Sequence, residues 1–164
     1  MNIFDPTTFL GFHTDLSVIA ILAGIVVLIG LLNAELLGSW TALFLLTAVL
    51  TDVTGFFLPA AKLLPSHIVG IISLVVLLAA ILGRYVFHLG GAWRWLYTVG
   101  SLIGLFFLVF VAIAQSFAKI PSLHPLAPTG SEPPFAIAQL VNLAIFLILG
   151  FFAVRRFHPA LPRH

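Results

Sequence analysis

Asp52, in the stretch LTDVTGFFLP, is the residue whose type and setting say most about chemistry. A carboxylate inside an apolar segment costs about 2.5 kcal/mol or more to insert into a membrane, unless it is paired, protonated or hydrated. The apolar run around it predicts a helix ending near Ala61. Asp52 then lies about nine residues, or roughly 14 Å, from that end. Thr47, Thr51, Thr54 and Gly55 share a small, polar face with Asp52 at its edge. This pattern suits a proton or cation site, or an anchor for a polar ligand. The competing account is a structural acid bonded to those hydroxyls, or paired with the snorkelling ammonium of Lys62 or Lys119.

A second group of polar residues falls around Ser116–Gln139, the longest polar interruption in the chain, with five of the ten prolines. Gln115 and Lys119 continue one helical face downward through Val111 and Leu108 to Gly104 and Gly100. Gln139 and Asn142 stand at i, i+3 and face a neighbouring helix, as interhelical hydrogen bonding or as part of a site. Glu132, ahead of Pro133 and Pro134, reads as a helix entry, where a negative charge suits the dipole and missing N–H groups cost least. Its functional alternative is an acid facing Lys119 and His124. Ile120, Leu123, Leu126 and Ala127 give the segment apolar residues with which to cover the bundle as a lid.

His13, His67 and His124 map to the same end, with Asp5, Asp15 and Glu132. Imidazole and carboxylate are ordinary ligands for zinc, copper or iron. No pair has i, i+4 metal spacing, and no His-Glu-x-x-His motif occurs, so a metal- or haem-binding redox protein is the weakest reading. No Gly-x-Ser-x-Gly elbow, P-loop or Rossmann glycine pattern is present, and the chain reads more as a binding protein than as an enzyme. The absence of cysteine excludes disulfides, thiolate metal sites and cysteine catalysis.

These residues need elements to hold them. The chain of 164 residues is 62% hydrophobic and 7% charged, with mean hydropathy +1.23. Soluble domains are typically about 25% charged. A chain this apolar cannot cover itself in water, so the lipid bilayer is its expected solvent. Its net charge of +2 and scattered basic residues exclude nucleic-acid binding. The reading is a single all-α domain over 1–164, with five transmembrane helices at about 16–37, 40–61, 67–87, 93–117 and 135–157. Ser66 is the expected cap of the third, and Gly90-Gly91 breaks the chain before the fourth. The first residues lack a basic region, which predicts a retained segment rather than a signal peptide.

Arg84, Arg94, Arg155, Arg156 and Arg163 fall on one side of these helices, and only Lys62 and Lys119 on the other. That bias predicts the C-terminus in the cytoplasm and the N-terminus and Pro-rich loop outside. Trp40, Tyr85, Trp93, Trp95 and Tyr97 would form an aromatic belt at the inner boundary. Glu35 would anchor there beside Arg84 or Arg94. Gly100-x-x-x-Gly104 offers a small-residue face, to a helix of the chain, to a second copy or to a larger complex; Ala20, Ala23, Gly24 and Ala34 do the same on the first helix.

The expectation is a small multi-pass protein, of the bacterial inner-membrane kind. It binds a small polar solute, ion or lipid headgroup in an outer-facing pocket, with a transporter-like or proton-coupled role in reach. Asp52, His67, Gln115, Lys119, Glu132 and Gln139 would line the pocket, with Asp52 as proton or cation acceptor and Lys119 as anion contact. The alternative is an accessory subunit of a larger membrane complex with no site of its own. Neither the ligand nor any cofactor can be read from the sequence.

Overall fold

The computed structural model describes residues 8–58 and 65–159, with side chains over 8–58 and 67–159. These residues form five α-helices and no strand: α1 (Phe9–Leu32), α2 (Gly38–Gly55), α3 (Pro65–Ile81), α4 (Ala92–Lys119) and α5 (Pro133–Arg156). Leu82–Val86 prolong α3 as a π-helical turn, and a short 3-10 turn, His124–Leu126, lies between α4 and α5. α1, α3 with its π turn, α4 and α5 are long and apolar enough to cross a membrane. α2, with 18 residues that include Asp52 and four threonines, is shorter and more polar.

The helix ends follow local chemistry rather than hydropathy alone. α1 begins seven residues before the expected Leu16, because Thr8 caps it by accepting the Gly11 N–H at 3.0 Å. His13 and Asp15 are therefore helical. α1 also stops earlier than expected. Ala34 takes φ 59° and the Glu35 N–H donates to the Gly30 carbonyl at 2.8 Å, closing the helix as a Schellman motif. An L-residue in that left-handed position costs about 1 kcal/mol relative to glycine. Ala34→Gly should accordingly raise stability by roughly that amount, read as a higher unfolding temperature in detergent; a lower one would contradict the motif.

α2 ends at Gly55. Asp52 thus sits three residues, about 4.5 Å, from its helix end, a third of the expected distance. α4 starts directly after Gly91, whose φ of 53° reverses the chain. It runs on through Ser116–Lys119, so the connection to α5 spans only 120–132. α5 starts two residues early, with Pro133 and Pro134 in the first turn, where a missing N–H leaves no bond unmade. Lys62 lies outside the described residues, as do Asp5, Arg163, His164 and the side chain of Ser66.

α4 is the hub. It touches each of the other four helices, while α1 pairs with α2, α3 with α4, and α5 lies against α4 and α1. The core is built where small residues let helices close: Ala20, Ala23 and Gly24 of α1 are buried, and Phe44 of α2, with no exposed surface, packs beside Gly24 and Gly104. A Cβ on Gly100 would stand 2.6 Å from the Val76 carbonyl oxygen, and one on Gly104 2.7 Å from Leu77 Cδ2. The Gly100/Gly104 face is filled by α3 of the same chain.

Two expectations at the arginine end are corrected. Tyr97 is no belt residue: it is 1% exposed and its hydroxyl shares a 3.1 Å hydrogen bond with Thr41 Oγ1, tying α4 to α2. Trp40, Tyr85 and Trp95 are exposed at this end of the bundle. Glu35 is exposed and forms no ion pair among the described residues. Arg84, Arg155 and Arg156 instead lie over the rings of Tyr85, Phe151 and Phe152.

Candidate functional site

Helical periodicity lines up the polar residues of four helices at one end of the bundle. On α4, Leu108, Ala112, Gln115 and Lys119 follow one another at three- and four-residue steps and share a face. On α1, His13, Ser17 and Ile21 do the same. α2 adds Asp52 in its last turn, and α3 adds His67 in its first. Between them lies a cavity of about 380 Å³, at the end where α4 meets the 120–132 connection. Its deeper wall is apolar, with Val18, Ile21, Phe107, Leu108 and Val111. The polar groups are His13, Asp52, His67, Gln115 and Lys119, with hydroxyls of Thr14, Ser17, Thr51 and Ser116. A pocket within about 300–1,000 Å³ that is mostly apolar, with a few convergent polar groups, has the usual form of a small-molecule site.

The hydrogen bonds decide which of these groups are free. Thr47, Thr51 and Thr54 each donate to the carbonyl four residues earlier, at 2.7, 2.8 and 2.7 Å. A hydroxyl in an apolar helix satisfies itself this way. None of them therefore bonds to Asp52, and the expected threonine cradle does not form. Ser73 of α3, buried, is the hydroxyl whose dipole acts on the Asp52 charge. Its geometry falls short of a hydrogen bond, since both Ser73 Oγ and Asp52 Oδ2 are buried with no partner among the described residues. Asp52 and Lys119 line the same cavity without forming an ion pair.

The sequence groups His13 with the outer histidines and not with the pocket residues, because hydropathy starts the first helix at Leu16. The signal that could have found it is the four-residue spacing His13–Ser17–Ile21, which carries the cavity face of α1 upstream. His13 Nδ1 lies 2.8 Å from Thr54 Oγ1. With the Thr54 proton on the Leu50 carbonyl, Thr54 accepts and His13 Nδ1–H donates. In that arrangement Nε2 is an acceptor with no hydrogen bond among the described residues. His67 packs its ring at 5.7 Å from that of Phe56. The Lys119 ammonium is close enough to act on the His13 ring.

Two of the six residues chosen from the sequence lie away from this cavity. Gln139 Nε2 donates to the Phe110 carbonyl at 3.0 Å, joining α5 to α4, and its Oε1 is buried without a partner among the described residues. Glu132 stands at the N-cap of α5 but turns back into its own loop. Its carboxylate accepts from the Thr129 hydroxyl at 2.8 Å, the Thr129 N–H at 3.0 Å and the Ser131 N–H at 3.0 Å. A slight desolvation pushes its pKa up, and those bonds together outweigh it and hold the pKa below the ordinary carboxylate value. The sign follows: the turn gains from ionised Glu132 above its ordinary pKa and loses that gain as pH falls through the lowered one. The Thr129 amide resonance should therefore titrate with a midpoint below that of an ordinary glutamate. A midpoint at or above it would remove the bonds as the cause of the turn.

His124 lies in the 3-10 turn and is exposed, away from His13 and His67 in the cavity. Among the described residues, no three His, Asp or Glu side chains come together as a metal-binding set. Only Ile120 of the 120–132 connection reaches the cavity wall. Comparison with protein-family models, with curated proteins and with solved structures returns no match for the chain. The site must be read from its own chemistry: the Asp52 carboxylate, the His13 and His67 imidazoles, the Lys119 ammonium and the Gln115 amide, above an apolar wall.

Proposed function

We propose that this chain is a multi-pass membrane protein that binds a small polar or amphipathic molecule in the four-helix cavity. Five helices span the bilayer, with the N-terminus and the cavity mouth outside and the arginine end in the cytoplasm. Asp52 is the anchor for a cationic or hydrogen-bond-donating group, and Lys119 the contact for an anionic one. The observation that carries this reading is Asp52 Oδ2, buried without a partner among the described residues. A carboxylate brought into an apolar bundle is retained at a cost, and hydroxyl or ammonium partners within the chain would offset that cost. The threonine hydroxyls nearby are used on their own helix, and neither Ser73 nor Lys119 bonds to Asp52, which suits a residue kept for an outside molecule.

The chain has no cysteine, so one introduced thiol reports without background. Ser17→Cys, on the cavity wall, should react in intact cells with a membrane-impermeant maleimide. Adding Val111→Phe, which fills the cavity from α4, should slow that reaction at least about tenfold. Trp95→Cys at the other end should react only after the membrane is opened. Labelling of the position-17 thiol only from the cytoplasmic side would overturn the orientation. No labelling from either side would overturn a water-reachable cavity.

A further inference from the structure

We infer that the molecule held in this cavity is a zwitterionic amphiphile, an ammonium joined through a short linker to a phosphate, with an apolar tail along the α1 and α4 wall. The inference rests on the binding reading above and names its ligand class.

The donor and acceptor inventory leads there. An anion alone would use Lys119 and Gln115 but would bring its charge beside the Asp52 carboxylate. A cation alone would use Asp52 and His13 Nε2 but would meet the Lys119 ammonium. Like charges brought together in a partly desolvated space are strongly disfavoured. A neutral solute would leave both charges uncompensated once water is displaced. Only a molecule carrying both signs satisfies Asp52 and Lys119 together, and their lack of a mutual ion pair leaves both available. An ammonium also supplies three donors, and the Asp52 carboxylate and the Gln115 amide oxygen on the cavity wall can accept them. Below this polar ring, Val18, Ile21, Leu108 and Val111 offer no hydrogen bond, so the rest of the ligand is hydrocarbon.

The same headgroup chemistry exists as a membrane lipid and as a free solute. The test is native mass spectrometry of the purified, delipidated protein against three probes: dioctanoyl phosphatidylethanolamine, dioctanoyl phosphatidylglycerol and free glycerophosphoethanolamine. The expected result is retention of phosphatidylethanolamine at least about tenfold over phosphatidylglycerol. Asp52→Asn and Lys119→Met should each weaken it about tenfold, with unfolding temperatures near that of the wild type. If glycerophosphoethanolamine competes, the source is a soluble zwitterion and the apolar tail is overturned; if it does not, the tail is required and the source is the lipid. Equal retention of both lipids would overturn the inference. So would an unchanged affinity in Asp52→Asn and Lys119→Met. A different co-purified mass that Val111→Phe removes would overturn the zwitterion and leave the binding reading standing. A wild type that takes up no mass from its own membrane or from any probe would remove both.

Discussion

Gly100→Leu should unfold or severely destabilise the bundle, by about 3 kcal/mol or more. The reason is the neighbour. A Cβ at Gly100 would meet the Val76 carbonyl oxygen at 2.6 Å, and a backbone atom inside a helix cannot move aside without displacing α3. At Gly104 the nearest atom is Leu77 Cδ2, at 2.7 Å, the end of a side chain that can change rotamer. Gly100→Ala should thus cost more than Gly104→Ala, although both add one methyl group. Thermal unfolding in detergent gives the order, and light scattering gives the assembly size. Similar unfolding temperatures for the two alanine variants would contradict the close α3–α4 contact. A stable Gly100→Leu protein that only loses a partner would show that the face meets another chain.

The second large effect belongs to the cavity. Val111→Phe places a ring into about 380 Å³ of space bounded by Val18, Phe107 and Leu108. Filling an apolar void leaves stability unchanged or higher, since the ring gains contacts that the valine lacks. Ligand affinity should fall at least about a hundredfold, roughly 2.7 kcal/mol. The informative result is that split: a fold kept and binding lost. Val111→Phe with lowered stability and full binding would place the ligand elsewhere.

The helical class was legible because long apolar runs leave the backbone no polar partner but itself. Asp52, His67, Gln115 and Lys119, singled out by type and by end of helix, line one cavity. What hydropathy could not show were the ends. Thr8 and Ala34 are weakly marked in composition, yet a cap bond and a left-handed residue shift α1 by a turn or more at each end. That shift carries His13 into the site. The depth of Asp52 was overestimated for the same reason, since Gly55 ends α2 well before the apolar run does. Tyr97 was taken for an interfacial aromatic because a wheel gives direction only relative to a known neighbour, and the neighbour is Thr41, 56 positions away. The hydroxyls of Thr47, Thr51 and Thr54 looked like partners for Asp52 by spacing. They bond to their own helix because that carbonyl is always within reach.

The measurement that tests the account most directly is native mass spectrometry of the protein gently extracted from its own membrane, wild type beside Val111→Phe. The account predicts a small-molecule mass on the wild type and a bare chain for the variant, with both proteins folded. A bare wild-type chain, or a retained mass that Val111→Phe leaves in place, would contradict a ligand in the cavity.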